Sequence, residues 1–215
     1  MILSWIVRQR FKSNMSRLSQ LPTRSGMSGR EIAENMLGDY GIADVQIIST
    51  PGQLTDHYHP GKRTVNLSEV VFAERSIAAA AVAAHECGHA VQHNTQYSFL
   101  QFRSGIVPVL NIANRFTPWL LMGGIFLIEM SAIPLAIGVA LLGVSTLFSL
   151  ITLPVEFDAS RRALAWLDDS GLMRGEEYEE AKKGLRWAAM TYVVAALTSL
   201  ATLLYYVSIL MGRRN

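Results

Sequence analysis

The chain is 215 residues long, half of it hydrophobic and 17% charged, with a formal net charge of +2 and one cysteine. A single cysteine excludes an intramolecular disulfide, and the lack of any concentrated basic or stacked-aromatic array argues against nucleic acid as a partner. With no cleavable signal peptide visible, this composition suits a catalytic part in a thiol-reducing, cytosol-facing setting.

Taken in chain order, Met1–Val7 is apolar apart from Ser4 and runs into Arg8, Arg10, Lys12 and Arg17. Seven residues cannot span a bilayer, so the segment is expected to be an interfacial anchor or the end of a membrane helix meeting a basic flank. Ser28-Gly29-Arg30-Glu31 reads as a capping box opening a short helix, with Ile32, Met36 and Leu37 on one face and a stop near Gly38. Val45–Ile48 reads as a strand. Leu54–Leu67 reads as a hairpin around Pro60-Gly61, with Thr64–Leu67 as its return strand. An exposed edge of such a pair can hold an extended peptide through main-chain hydrogen bonds.

Ser76 is a good N-cap, and the alanine-rich run behind it predicts a helix over Ser76–His93. That helix carries His85-Glu86-Cys87-Gly88-His89, the H-E-x-x-H zinc signature. An i to i+4 offset turns about 40° and rises about 6 Å, so both imidazoles face one ion. Glu86 lies about 100° round from His85, within reach of a water on that ion without being a ligand. His93 is about 12 Å along the axis from His85, too far to share the ion, and is expected to cap or support the helix end. Cys87 projects about 200° from His85 and is read as a packing residue.

The second half is membrane-like. Thr117–Val155 has Glu129 as its only formal charge and is long enough to cross a bilayer twice at about 20 residues per helix. The first span is expected to begin near Val107, with Asn111, Asn114 and Arg115 on one face, and to turn near Glu129–Pro134. The second ends near Pro154. A soluble helical hairpin broken at Gly171 follows, whose acidic arm Glu176–Glu180 leads through Lys182, Lys183 and Arg186 into a last, uncharged span at Ala188–Gly212. Of the lysines and arginines, only Arg213 and Arg214 follow that span and none lies in the tip near Glu129, which places the zinc side in the cytoplasm.

A catalytic zinc site uses three protein ligands and an open position, so a third must come from elsewhere. Two crossings return the chain to the side it left, which makes Glu156 or Asp158 the candidate.

Three motifs carry a resemblance: Leu54-Thr55-Asp56-His57-Tyr58, the alanine-rich Ser76–His89 helix, and Leu153-Pro154-Val155-Glu156-Phe157-Asp158-Ala159-Ser160-Arg161-Arg162-Ala163. Together the chain resembles the YugP-type membrane zinc metallopeptidases of bacteria from about Gly26 onward. The resemblance implies a gluzincin-like site with His85, His89 and Glu156 as ligands to one Zn2+ per chain, Glu86 as base, and a multi-pass protein of the bacterial inner (plasma) membrane. Ser160 departs from the more distant HtpX-type proteases, whose motif is Glu-x-x-x-Asp.

The expected fold is a mainly α integral membrane protein with about three transmembrane helices and a small α+β, gluzincin-like zinc-peptidase part. It divides into an N-terminal anchor and basic flank (1–25), an α+β part with the zinc helix (26–105), a transmembrane hairpin (106–155), a third-ligand helical hairpin (156–187) and a last transmembrane helix (188–212). The expected activity is zinc-dependent endopeptidase hydrolysis of a peptide or membrane-protein substrate at the lipid bilayer, with His57, Tyr58, Arg161 and Arg162 as further polar groups able to meet an oxyanion. The rival is a zinc-binding membrane scaffold or client-binding protein that does not cleave. The sequence leaves open any oligomer or regulatory membrane partner.

Overall fold

A computed structural model describes residues 2–212; Met1, Arg213 and Arg214, on which part of the anchor and charge readings rest, lie outside the described residues. The elements run α1 (Ile2–Leu18), α2 (Gly29–Asp39), β1 (Gln46–Thr50), β2 (His57–His59), β3 (Thr64–Ser68), α3 (Glu69–Ala73), α4 (Ile77–Asn94), α5 (Ser98–Phe126), α6 (Ile133–Asp169) and α7 (Glu176–Gly212). They form two compact units. One holds the chain up to Leu100 together with Val155–Thr191, and the other holds Gln101–Pro154 and the chain from Tyr192 on.

The first unit packs α2, α4 and the sheet around Leu18, Ile32, Met36, Val65, Leu67, Val91, Leu167 and Met173. Local chemistry fixes its helix starts. Ser28 and Glu31 cap reciprocally at α2, where the Glu31 carboxylate accepts from the Ser28 N–H at 2.7 Å and the Ser28 hydroxyl accepts from the Glu31 N–H at 3.3 Å. Ser76 opens α4 by accepting from the Ala79 N–H at 3.2 Å. The apolar start read at Met1–Val7 belongs to a longer helix: α1 leaves Ile2, Leu3, Trp5 and Ile6 exposed, buries Leu18 completely, and pairs Arg17 with Glu180.

The hairpin forms around Pro60-Gly61 as the turn residues dictate, with Tyr58 opposite Val65 in an antiparallel pair. β1 adds to it in parallel, Ile47 beside Val65, giving the order β1-β3-β2 with β3 central and buried throughout. A parallel neighbour needs a crossover, and here the crossover contains β2. β2 is therefore an edge strand.

In the second unit Leu121, Leu135 and Val139 bring α5 against α6, and the Thr146 and Ser199 hydroxyls meet at 2.8 Å between α6 and α7. Among the described residues two helices, α6 and α7, are long and apolar enough to cross a membrane, against an expected number of about three. The discrepancy lies in α5, which starts at Ser98, so its length takes in Arg103, Asn111, Asn114, Arg115 and two internal prolines. Asn114 accepts from the Ser145 hydroxyl at 3.2 Å. The break between α5 and α6 falls over the expected turn, but Pro154 does not end α6. One missing backbone donor is tolerated there, and the helix runs on with Val155, Ala159 and Ala163 fully buried.

Candidate metal centre

The site is assembled by α4 and the C-terminal part of α6. Within α4 the alanine run gives a slim helix that sinks into the core, so that between Ser76 and Gln92 only Val82 and His85 escape full burial. Gly88 brings the two helices together: a Cβ at this position would stand 2.6 Å from the Ala159 carbonyl oxygen. The absence of a side chain there lets backbone meet backbone and carries Glu156, three residues earlier on α6, to the two histidines.

His85 Nε2 lies 3.3 Å and His89 Nε2 3.7 Å from the same atom, Oε2 of Glu156, and the three ligand atoms fall within 4.8 Å of one another. A tetrahedral zinc ion with ligands at about 2.0–2.1 Å holds them about 3.3 Å apart. The trio fits that ion with small adjustments, and its two-imidazole, one-carboxylate donor set is that of catalytic zinc. Asp158, the other sequence candidate, is buried but not in the trio.

Each histidine is turned by a partner on its other nitrogen. His89 Nδ1 lies 3.0 Å from Gln92 Oε1, while Gln92 Nε2 donates to the Val155 carbonyl at 2.7 Å and to Asp158 at 2.9 Å. Two acceptors fix which end of the amide is nitrogen, so Gln92 Oε1 must accept from His89 Nδ1–H and the lone pair of His89 Nε2 is left for a metal. Ser160 Oγ lies 3.1 Å from His85 Nδ1, so the serine supplies a contact to a histidine of the candidate trio. Asp158 is itself held by Arg161 and by Arg162 at 2.6 Å, and Arg162 lies over the Tyr97 ring. The arginines thus brace the carboxylate that braces Gln92. Nothing in the sequence marked Gln92; its only signal is its place one turn after His89.

Glu86 faces the trio without joining it. Its carboxylate accepts the Tyr58 N–H of the β2 edge at 2.9 Å. Burial pushes its carboxyl up to about 7; His85 opposes this, while Glu156 and Asp56 add to it. The Tyr58 hydroxyl lies 2.7 Å from His93 Nδ1, so His93, near the end of α4, contacts the edge strand and stands outside the candidate metal trio. His57 is exposed and bonds the Thr55 carbonyl. Cys87 is fully buried against the Ala33 carbonyl, and burial raises its thiol far above the usual range.

The family described as "Putative neutral zinc metallopeptidase" matches residues 1–211. The chain belongs to this zinc metallopeptidase family. It is also similar to a Bacillus subtilis (strain 168) protein named "Putative membrane protease YugP", 43% identical over 213 residues that cover 99% of this chain and 94% of that one. No solved structure is a match. In this member of the metallopeptidase family, His85, His89 and Glu156 are the group among the described residues that could hold the zinc.

Proposed function

We propose that the protein is a zinc-dependent membrane endopeptidase, with His85, His89 and Glu156 as ligands and Glu86 as the general base. The observation that carries this is the position of Glu86: buried beside the three ligands, outside them, and hydrogen-bonded to an edge strand. A purely structural four-ligand site has no use for such a carboxylate.

When bound, zinc supplies a Lewis acid that polarises a carbonyl and lowers the pKa of water toward about 7. His85 and His89 present Nε2 because Ser160 and Gln92 face their Nδ1 atoms. Glu86, held at the site by the Tyr58 N–H, accepts the proton of the attacking water and delivers it to the leaving amine. The outer edge of β2 offers main-chain groups along which an extended peptide aligns beside that carboxylate. We further place the zinc side, with Arg161, Arg162, Lys182, Lys183 and Arg186, in the cytoplasm of a multi-pass inner-membrane protein, in keeping with the basic residues around the connecting segment.

The test is Glu86→Gln in detergent-purified protein. It should keep zinc while losing peptide hydrolysis by several orders of magnitude. Zinc content equal to wild type with no hydrolysis by either protein would favour the scaffold reading instead.

A further inference from the structure

The helix face that bears the site does not end at His85. Val82 lies about 40° round from Glu86 and one turn before it, so it continues the same face toward the N-terminus of α4. Beside it a half-open cavity of about 600 Å³ is lined by Ala78, Ala79 and Val82 of α4, Phe11 and Met15 of α1, and Val71 of α3. Its volume falls in the range of ligand pockets, and its apolar lining is interrupted by polar groups that include the charged Lys12, Asp56 and Glu74.

Two observations tie the cavity to the chemistry. Asp56 lines it and acts electrostatically on Glu86; its carboxylate is fixed by the Ser68 N–H at 2.7 Å and the Ser68 hydroxyl at 3.2 Å. Asp56 also stands two residues before Tyr58, whose N–H is on Glu86, so the cavity lies at the start of the edge strand. At its rim Leu54 keeps a left-handed backbone, φ +57°, with its side chain 61% exposed, an arrangement uncommon for a bulky residue.

We infer that this cavity is a specificity pocket for a large apolar side chain, aliphatic or aromatic, of a peptide lying along β2. Axial distance supports that assignment: one helical turn is about 5.4 Å and an extended chain advances about 3.3 Å per residue, so the pocket takes the side chain one or two residues from the scissile bond. The small residues Ala78 and Ala79 make the room, and Val82 limits its depth next to Glu86. The inference rests on the peptidase reading for its substrate, but the pocket can be read without hydrolysis.

The experiment uses the full-length Glu86→Gln protein with zinc, in detergent, and fluorescent peptides that differ at one position as Gly, Ala, Leu or Phe. Leu and Phe peptides should bind at least about tenfold more tightly than Gly, and adding Val82→Phe, which fills the pocket at a partly exposed position, should abolish that preference. In the active protein the same substitution should shift cleavage of a peptide mixture, read by mass spectrometry, from sites with large apolar neighbours to sites with small ones. Equal binding of all four peptides, no peptide binding, or a Leu and Phe preference that survives Val82→Phe in a folded protein overturns the pocket. Apolar-selective binding without cleavage by wild type would instead overturn the peptidase reading and leave the pocket standing.

Discussion

Gly88 of α4 and Ala159 of α6 touch through their backbones, and a single methyl group on Gly88 would meet the Ala159 carbonyl at 2.6 Å. In an ordinary exposed helix, replacing glycine by alanine gains about 1 kcal/mol. Here the carbonyl cannot yield without moving α6, and overpacking of this kind costs about 1–3 kcal/mol. Gly88→Ala should therefore lower the melting temperature and, by drawing Glu156 away from the histidines, reduce zinc content. Thermal melts with metal analysis check both; unchanged zinc would show that the contact does not set the ligand spacing.

Glu156 and Asp158 are two residues apart but have different tasks. Glu156→Ala should abolish activity and most zinc binding, because it removes a ligand atom shared by the geometry of both histidines. Asp158→Ala and Gln92→Ala should retain metal with affinity lowered about 10- to 100-fold, the usual loss when a partner orienting a ligand is removed. Chelator competition measures this. Zinc lost from Asp158→Ala and kept by Glu156→Ala would reverse the assignment.

Acid should weaken the α2 start. The Ser28 N–H and hydroxyl, with Arg75, hold the Glu31 carboxyl below its ordinary value. A group lowered in the folded state contributes stability above its unfolded pKa and loses it as pH falls through the folded one. The melting temperature of wild type should exceed that of Glu31→Gln near neutrality, and the difference should shrink as acid protonates Glu31. A constant gap across that range would count against the capping role.

Membrane orientation is open to thiol labelling, since Cys87→Ala removes a buried, unreactive sulfur and leaves a background without cysteine. In intact cells, a cysteine replacing Glu129 should react with an impermeant reagent and one replacing Glu179 should not. The opposite pattern would place the zinc side outside.

What the sequence revealed is what short range decides. Ser28 with Glu31, Ser76 before the alanine run, Pro60-Gly61 and the His85-Glu86-His89 spacing each act within a few residues, so their helix starts, turn and shared face could be read directly. The partners of Gln92, Ser160, Tyr58 and Gly88 come from distant segments, and no local pattern announces them. The parallel seat of β1 on β3 is hidden for the same reason. The extra membrane span came from the charge-poor run after Thr117; the helix that holds its first part starts at Ser98, and Arg103, Asn111, Asn114 and Arg115 together leave that helix less apolar than α6 and α7.

The three residues that could hold a metal come from opposite sides of a long apolar stretch, and this has a consequence for synthesis. His85, Glu86 and His89 leave the ribosome first, followed by α5 and the apolar length of α6, with Glu156 only then appearing. A nascent chain holds two imidazoles and Glu86 but not the whole candidate metal group until that hydrophobic segment has emerged. Order of translation therefore acts as a timer, which completes the candidate metal group only after the long apolar segment has been made.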